Sequence, residues 1–489
     1  MSEFSDYLDN YIREKKYTVS RFAAKMNKDR SMLYRYVKGT RVPSDESLVS
    51  EMAKALCMTV PEKNNLLELY ERLIYGDEKI DNYVYFKSFL EKLKECENSF
   101  LSNNNILWKA NIDFEHFNLL WLNSENEIIS IIRYLLSRIS NVDTDGQKCM
   151  YIIMQPDNKI QEYIRPCLEN TSVAVEQIIH LEQRDQLKYK NLEALLKVLG
   201  TCFGSLDYSI YYYFSADTDE EDYMSWMANV IIIGDYVVQF DKAVHYGSVV
   251  NDGEYAAGAL ERYKKIRKNT NPLKKDVCCI DDMNNFYGEK EYETCASGLF
   301  FEPCVRFAVG RDVLDGSLHD FPERKQFIDY REAVSGSWNN IVYHPSEIIK
   351  QMDTVHIRFK YDGLIRFMET GRTSELPDGL YEPLDMSQRV LTLKRAIELS
   401  RKGYIAYYII DESVEVPERI SIYSYSESKR LQFSMYAGTV VSQVIVNESG
   451  FYYMFESYTV ELERRGLVKT REETLKILQE VYEQYKGRL

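Results

Sequence analysis

The stretch TVSRFAAKMNKDRSMLYRYVKGTRVPS fills residues 18–44, and its punctuation decides how the N-terminal part of the chain folds. Thr18 is a good N-cap, since its hydroxyl can accept from a backbone N–H that a helix start leaves unpaired. Phe22, Ala23 and Met26 follow at helical spacing. Asn27-Lys28 then interrupts the pattern. A tight turn between two crossed helices needs a residue with positive φ, and asparagine is the best non-glycine occupant of that region. Asp29 can cap a further helix from Arg30 to Val37 or Lys38, which Gly39 stops and Pro43 follows. Leu33, Tyr36 and Val37 share its inner face, leaving Arg30, Ser31, Tyr34, Arg35 and Lys38 outward.

Working outward, Leu8 and Ile12 set a first helix ending near Lys16. A fourth helix runs from about Asp45 through Leu48, Met52, Ala53 and Leu56. A fifth, Glu62 to Tyr75, opens at Pro61 with Leu66, Leu69, Leu73 and Ile74 as its apolar stripe. Residues 1–75 are thus expected to form a compact all-α domain. Ala23 is small where the second helix crosses the third, which close approach of two helix axes requires.

Four spaced elements carry a resemblance: Phe22-Ala23-Ala24-Lys25-Met26-Asn27, Arg30-Ser31-Met32-Leu33, Lys38-Gly39-Thr40-Arg41-Val42-Pro43-Ser44 and Met52-Ala53-Lys54-Ala55-Leu56. Together they resemble the XRE family of phage Cro and lambda-type repressors, with departures at Val19, Asn27 and Lys28. The resemblance implies a helix-turn-helix domain whose third helix enters the major groove of duplex DNA. It places Arg30, Ser31, Tyr34 and Arg35 against base edges or flanking phosphates. Arg30 and Arg35 are the specificity candidates, because a guanidinium can bond bidentately to guanine. Arg21, Lys25, Lys38 and Arg41 are expected on phosphates, and Lys28 in the turn completes the set.

Charge agrees. Residues 1–44 hold ten bases and five acids, net +5, while the rest of the 489-residue chain holds 51 bases and 71 acids, net −20. A positive head on an acidic body suits a DNA-binding module joined to a part that DNA repels. With 45% hydrophobic and 28% charged residues the whole chain should fold, and its length calls for two to four domains. No apolar run approaches a membrane span, and the first residues lack the apolar stretch of a secretory signal, so the expected location is cytoplasmic.

The nine cysteines are irregularly spaced without a CxxC pair and read as reduced thiols. Cys278, Cys279, Cys295 and Cys304 lack the spacing of a zinc ribbon, so no metal is expected. The six histidines at 116, 180, 245, 319, 344 and 356 form no i, i+4 pair. No GxSxG, HExxH, GxGxxG or GxxxxGK motif occurs, so no cofactor and no enzymatic activity are expected. The acidic run at 217–222 reads as a solvated loop, and the segment around Trp338 as core packing.

Beyond Gly76 the expectation is a helical connector over 76–145, with a stripe from Tyr83 to Leu93, a polar linker at 102–105, and a helical block from Phe114 to Ile139. An α/β unit over 146–270 starts with a strand at Cys149–Met154 and helical segments up to Gly200. Strands follow at Tyr208–Phe214, Asn229–Ile233, Tyr236–Phe240 and Val244–Val250, then a helix at Glu254–Lys268. Residues 271–345 read as a connecting segment. A second unit over 346–489 repeats the order: a helix at Arg389–Arg401, strands at Tyr404–Ile410, Ile420–Tyr425, Arg430–Met435 and Thr439–Val446, and a helix at Phe451–Arg464. Local spelling repeats too, Val249-Val250-Asn251-Asp252 against Ile445-Val446-Asn447-Glu448. The fold class is therefore multidomain: an all-α head and a large α/β (α+β) body, built as a duplicated unit with antiparallel strands.

The function this composes is a homodimeric, sequence-specific transcriptional regulator whose body senses a small-molecule or peptide effector or drives dimerisation. Two alternatives stand beside it, a body that binds a signalling peptide or protein, and an enzyme that regulates its own expression.

Overall fold

The computed structural model describes residues 2–97, 117–140, 149–156, 160–161, 164, 173–182, 188–203, 208–214, 229–273, 276–278, 295–305, 308–317, 354–373, 375, 381–437 and 440–489. The chain forms two compact units, Met1–Tyr85 and Phe86–Leu489.

The first unit is all-α: α1 (Glu3–Glu14), α2 (Val19–Met26), α3 (Arg30–Val37), α4 (Glu46–Ala55), α5 (Val60–Tyr75) and the start of α6 (Asp77–Cys96). Each of the first five opens on a side-chain cap, Ser2, Thr18, Asp29, Asp45 and Thr59 in turn, and Ser2 and Thr59 form full capping boxes. Two boundaries move from expectation. α1 stops at Glu14 because Lys16 turns left-handed (φ 56°), and α5 starts at Val60, putting Pro61 in its first turn where the missing N–H costs nothing. Phe4, Leu8, Ile12, Phe22, Leu33, Val37, Val49, Met52, Leu56 and Leu66 fill the core.

The second unit holds two mixed sheets. The first half comprises β1 (Leu119–Leu122), α7 (Glu125–Ser140), β2 (Cys149–Ile153), β3 (Ala174–Leu181), α8 (Lys188–Cys202), β4 (Tyr208–Phe214), β5 (Asn229–Ile233), β6 (Tyr236–Phe240), β7 (Gly247–Asn251), α9 (Gly253–Arg267) and β8 (Asn271–Pro272). The second comprises β9 (Asp276–Cys278), β10 (Cys295–Phe300), α10 (Arg311–Ser317), β11 (Val355–Lys360), α11 (Tyr361–Thr370), α12 (Met386–Arg401), β12 (Ile405–Ile410), β13 (Ile420–Tyr425), β14 (Arg430–Ala437), β15 (Val440–Val446), α13 (Ser449–Arg464) and α14 (Arg471–Lys486).

The sheet orders are β1-β7-β6-β5-β2-β3-β4-β8 and β12-β11-β10-β13-β14-β15-β9. In each, three strands run parallel (β2-β3-β4 and β10-β11-β12) and three follow as an antiparallel meander (β5-β6-β7 and β13-β14-β15). The strand that comes first in sequence closes the far edge antiparallel, β1 on β7 and β9 on β15. Even the β8 pairing on β4 has its counterpart in a bridge from Val468 to Ile410 at the end of β12. The body is a duplicated α/β unit.

Three expectations need correction. The block from Phe114 to Ile139 is not one helix: Leu119–Leu122 is an edge strand, and Ser124 with Glu127 forms a capping pair that starts α7 afterwards, Glu127 N–H donating to Ser124 Oγ and Asn123 N–H to Glu127 Oε2. Helix α7 buries Ile128, Ile131, Ile132, Leu135 and Leu136 within its own chain. Second, Ala174–Leu181 is the strand β3, not helical; a parallel strand covered on both faces loses the alternation that marks strands. Third, the connecting segment 271–345 contains β8, β9, α10 and β10, and β10 joins the parallel strands of the second sheet to its antiparallel meander. The tract at 102–105, the acidic run at 217–222 and Trp338 lie outside the described residues.

Two close approaches fix the second half. Gly363 starts α11 against the loop after β10, where a Cβ would lie 1.9 Å from the Phe301 carbonyl oxygen. The buried Lys360 ammonium donates to three carbonyls, Asp411 (2.8 Å), Glu412 (3.0 Å) and Val414 (2.9 Å), closing the turn after β12. Farther N-terminal, α6 lays Phe86 against Phe455 (5.5 Å) and Tyr458 (5.3 Å), and Phe89 against Phe433 (5.8 Å).

Candidate nucleic-acid interface

The segment that joins α2 to α3 is a three-residue turn, Asn27-Lys28-Asp29. Asn27 is left-handed (φ 50°, ψ 43°), and the N–H of Lys28 donates back to Ala23 O at 3.1 Å, closing the end of α2. Asp29 then accepts from Met32 N–H at 3.0 Å and starts α3. Leu33, Tyr36 and Val37 point into the core, and the buried Ala23 leaves room for the crossing. The loop after α3 turns at Gly39 (φ 67°), and Tyr70 Oη donates to Pro43 O, pinning it to α5.

With the inner face fixed, the outer face of α3 follows from the helical repeat. Arg30, Ser31, Tyr34 and Arg35 are exposed along it, Tyr34 at 50%. Among the described residues neither guanidinium, Arg30 or Arg35, has an ion pair or hydrogen bond. Both are therefore available to an outside acceptor without breaking an internal contact.

The other five expected contacts are held differently. Lys38 is half-buried, its Nζ 3.2 Å from Asp9 Oδ2, and the same carboxylate takes Arg13 at 2.8 Å. Lys25 donates to Tyr17 Oη (2.8 Å) and Ala55 O (3.1 Å). Arg21 lies over the Tyr17 ring at 5.5 Å and Arg41 over Tyr36 at 5.9 Å, each with its charge still at the surface. Lys28 stands 4.0 Å from Glu51, a surface pair of little strength. So α3 presents free cations, while two of the flanking ones are tethered within the domain.

Two organising residues are absent from the sequence-level set. Asp9 holds Lys38 from α1. Tyr17 serves both Arg21 and Lys25 from the residue before the N-cap of α2, outside the helix, so helical periodicity gives no signal for it. Burial pushes the Asp9 carboxyl up, but Lys38 and Arg13 together outweigh it and hold its pKa below the usual carboxylate range.

Among the described residues no group of three or more His, Cys, Asp or Glu side chains could hold a metal ion. Of the four cysteines grouped in sequence, Cys304 is buried with its thiol donating to Glu375 Oε1 at 2.8 Å; the side chains of the other three lie outside the described residues. His356 stacks on Tyr408 at 5.7 Å, and His245 is exposed in a turn. No helix of the described residues is long and apolar enough to cross a membrane.

No family model matches the chain, and no curated protein matches it. Among solved structures, similarity is found to TrmBL2, an archaeal chromatin protein described with a novel mode of DNA binding, at 12% identity and a TM-score of 0.23, covering 46% of this chain and 88% of that one. A phosphatidylserine synthase of Haemophilus influenzae is matched at 10% identity and a TM-score of 0.19, covering 81% of this chain and 98% of that one. A polyphosphate kinase from Porphyromonas gingivalis is matched at 9% and 0.21, covering 68% and 48%. Likenesses this slight carry no argument about function.

Proposed function

We propose that this protein is a sequence-specific transcriptional regulator whose head reads duplex DNA with α3 in the major groove. The observation that carries the reading is the outer row Arg30, Ser31, Tyr34, Arg35, with two unpartnered guanidinium groups on a helix whose other face is locked in the core. The positive charge of residues 1–44 and the resemblance to phage-type repressors support it. Two heads on a homodimer would read a palindrome, and the large duplicated body is the part left to dimerise or take up an effector.

Selection of genomic DNA fragments by the full-length protein at fixed salt tests this. The wild type is expected to enrich a palindrome with half-sites about one helical turn apart. Arg30→Ala/Arg35→Ala, still folded, is expected to lose that enrichment, because each bidentate contact is worth about 1–3 kcal/mol of discrimination. If neither protein enriches any sequence, the head binds protein instead and the reading is wrong.

Asp9→Asn should act in the opposite sense. Freeing Lys38 adds a mobile cation near the groove-facing helix, so non-specific DNA affinity at low salt should rise severalfold. Stability should fall by about 0.5–1 kcal/mol at neutral pH, the scale of a screened surface pair. Because the folded pKa of Asp9 is depressed, its contribution is present above the unfolded value near 4 and lost as pH falls through the folded one. The variant should therefore lack part of the acid-side decline in melting temperature; an unchanged profile would show that the pair does not form in solution.

A further inference from the structure

The acidic body carries one strongly basic stretch. Residues 261–275 read ERYKKIRKNTNPLKK, seven bases and one acid, within a second unit, residues 86–489, that holds 47 bases and 62 acids, net −15. The structure places the first part at the C-terminal end of α9. Tyr263 is buried there, its ring 5.0 Å from that of Tyr151 and its hydroxyl donating to Glu176 O. Arg267 turns inward, over the Tyr211 ring and 4.0 Å from Glu176. Lys264, Lys265 and Lys268 stand on the opposite, exposed face, and none has an ion pair among the described residues. Glu261 shares that face and leaves it net positive.

The duplication supplies an internal control for what the fold itself requires. Helix α13 occupies the same place after the second meander, and counting from the caps, Asp252 and Glu448, aligns buried Tyr263 with buried Thr459. Lys264, Lys265 and Lys268 then correspond to Val460, Glu461 and Arg464. In α13 the terminal cations are neutralised: Glu461 holds Arg464 at 2.7 Å and Arg465 at 3.6 Å. Both helix ends favour cations through their dipoles. Only α9 carries them uncompensated, so packing does not account for the three lysines.

We propose that Lys264, Lys265 and Lys268 form a second, sequence-independent contact with the phosphate backbone of duplex DNA. The proposal corrects the expectation that DNA repels the whole body, and it rests on the DNA-binding reading of the head for its choice of partner. Exposed lysines on a helix end match phosphates as point charges without reading bases.

Each phosphate contact adds about 0.9 to the slope of log affinity against log salt. The test compares full-length wild type with Lys264→Gln/Lys265→Gln/Lys268→Gln on 20- and 60-base-pair duplexes of random sequence, between 50 and 200 mM salt. Lys394→Gln/Lys476→Gln/Lys486→Gln, with the same loss of net charge elsewhere, is the control. On the long duplex the α9 variant is expected to show a slope shallower by about 2.7 and more than tenfold weaker binding at 100 mM salt. The control should match wild type. Equal slopes for the α9 variant and wild type, equal losses in both variants, or no binding of the wild type to duplex at 50 mM salt would each overturn the proposal. So would a loss confined to single-stranded RNA or to vesicles of anionic lipid, which would assign the lysines to that partner. The head's reading fails separately: there the wild type selects no sequence, while the slope difference on random duplex persists.

Discussion

Gly363→Ala is expected to destabilise the second half of the body by about 3 kcal/mol or more, because the added methyl would meet backbone rather than a side chain that can swing away. Its Cβ would sit 1.9 Å from Phe301 O and 2.9 Å from Glu302 Cα, so α11 would have to lift off the loop that ends β10. Gly403→Ala is the companion. Gly403 has φ +83° with nothing within 4 Å, so its replacement costs only the left-handed backbone, about 1–2 kcal/mol. Urea unfolding of the two variants separates steric cost from conformational cost. Equal shifts would mean that α11 does not pack as closely as described.

Phe22→Ala should remove the head's order while sparing the body. Phe22 is fully buried at the centre of the first unit, and truncating a buried phenylalanine costs about 3–5 kcal/mol. A domain of this size has only roughly 4–11 kcal/mol to lose. The four tryptophans lie at 108, 121, 226 and 338, none of them in the first 85 residues. Tryptophan fluorescence should therefore melt as in wild type while helical circular dichroism and DNA selection fall. A loss of fluorescence at the same temperature would show that the two units unfold together.

The head was legible because its signals are local. Thr18, Asp29, Asp45 and Gly39 do in three dimensions what their side chains or lack of one dictate within a few residues, and Asn27 takes the positive φ its turn demands. The exposed row on α3 follows from the same helical period. What escaped was held from elsewhere in the chain: the tether on Lys38 comes from Asp9 in α1, some thirty residues away, and periodicity says nothing about such a contact. In the body, the antiparallel meanders were readable strand by strand: β5, β6 and β13 have the expected ends, and β7, β14 and β15 are shifted by one to three residues at an end. The central parallel strands were not. β3 is apolar at neighbouring as well as alternate positions, and β10 carries Gly298 beneath the Phe300 ring, where a Cβ would be 2.3 Å from the ring edge, so a glycine required by packing looked like a loop.

The packing of α6 has a consequence for how the chain is made. Phe86 and Phe89 find their partners at Phe433, Phe455 and Tyr458. Between Phe89 and Phe433 lie about 340 residues, which a ribosome adds in roughly 20–70 s. The first sheet draws all its strands from residues 119–272 and can assemble as it emerges. The aromatic face of α6 has to wait through that whole interval, so a nascent chain stalled before the second meander carries a ready-made chaperone-binding stretch near its beginning.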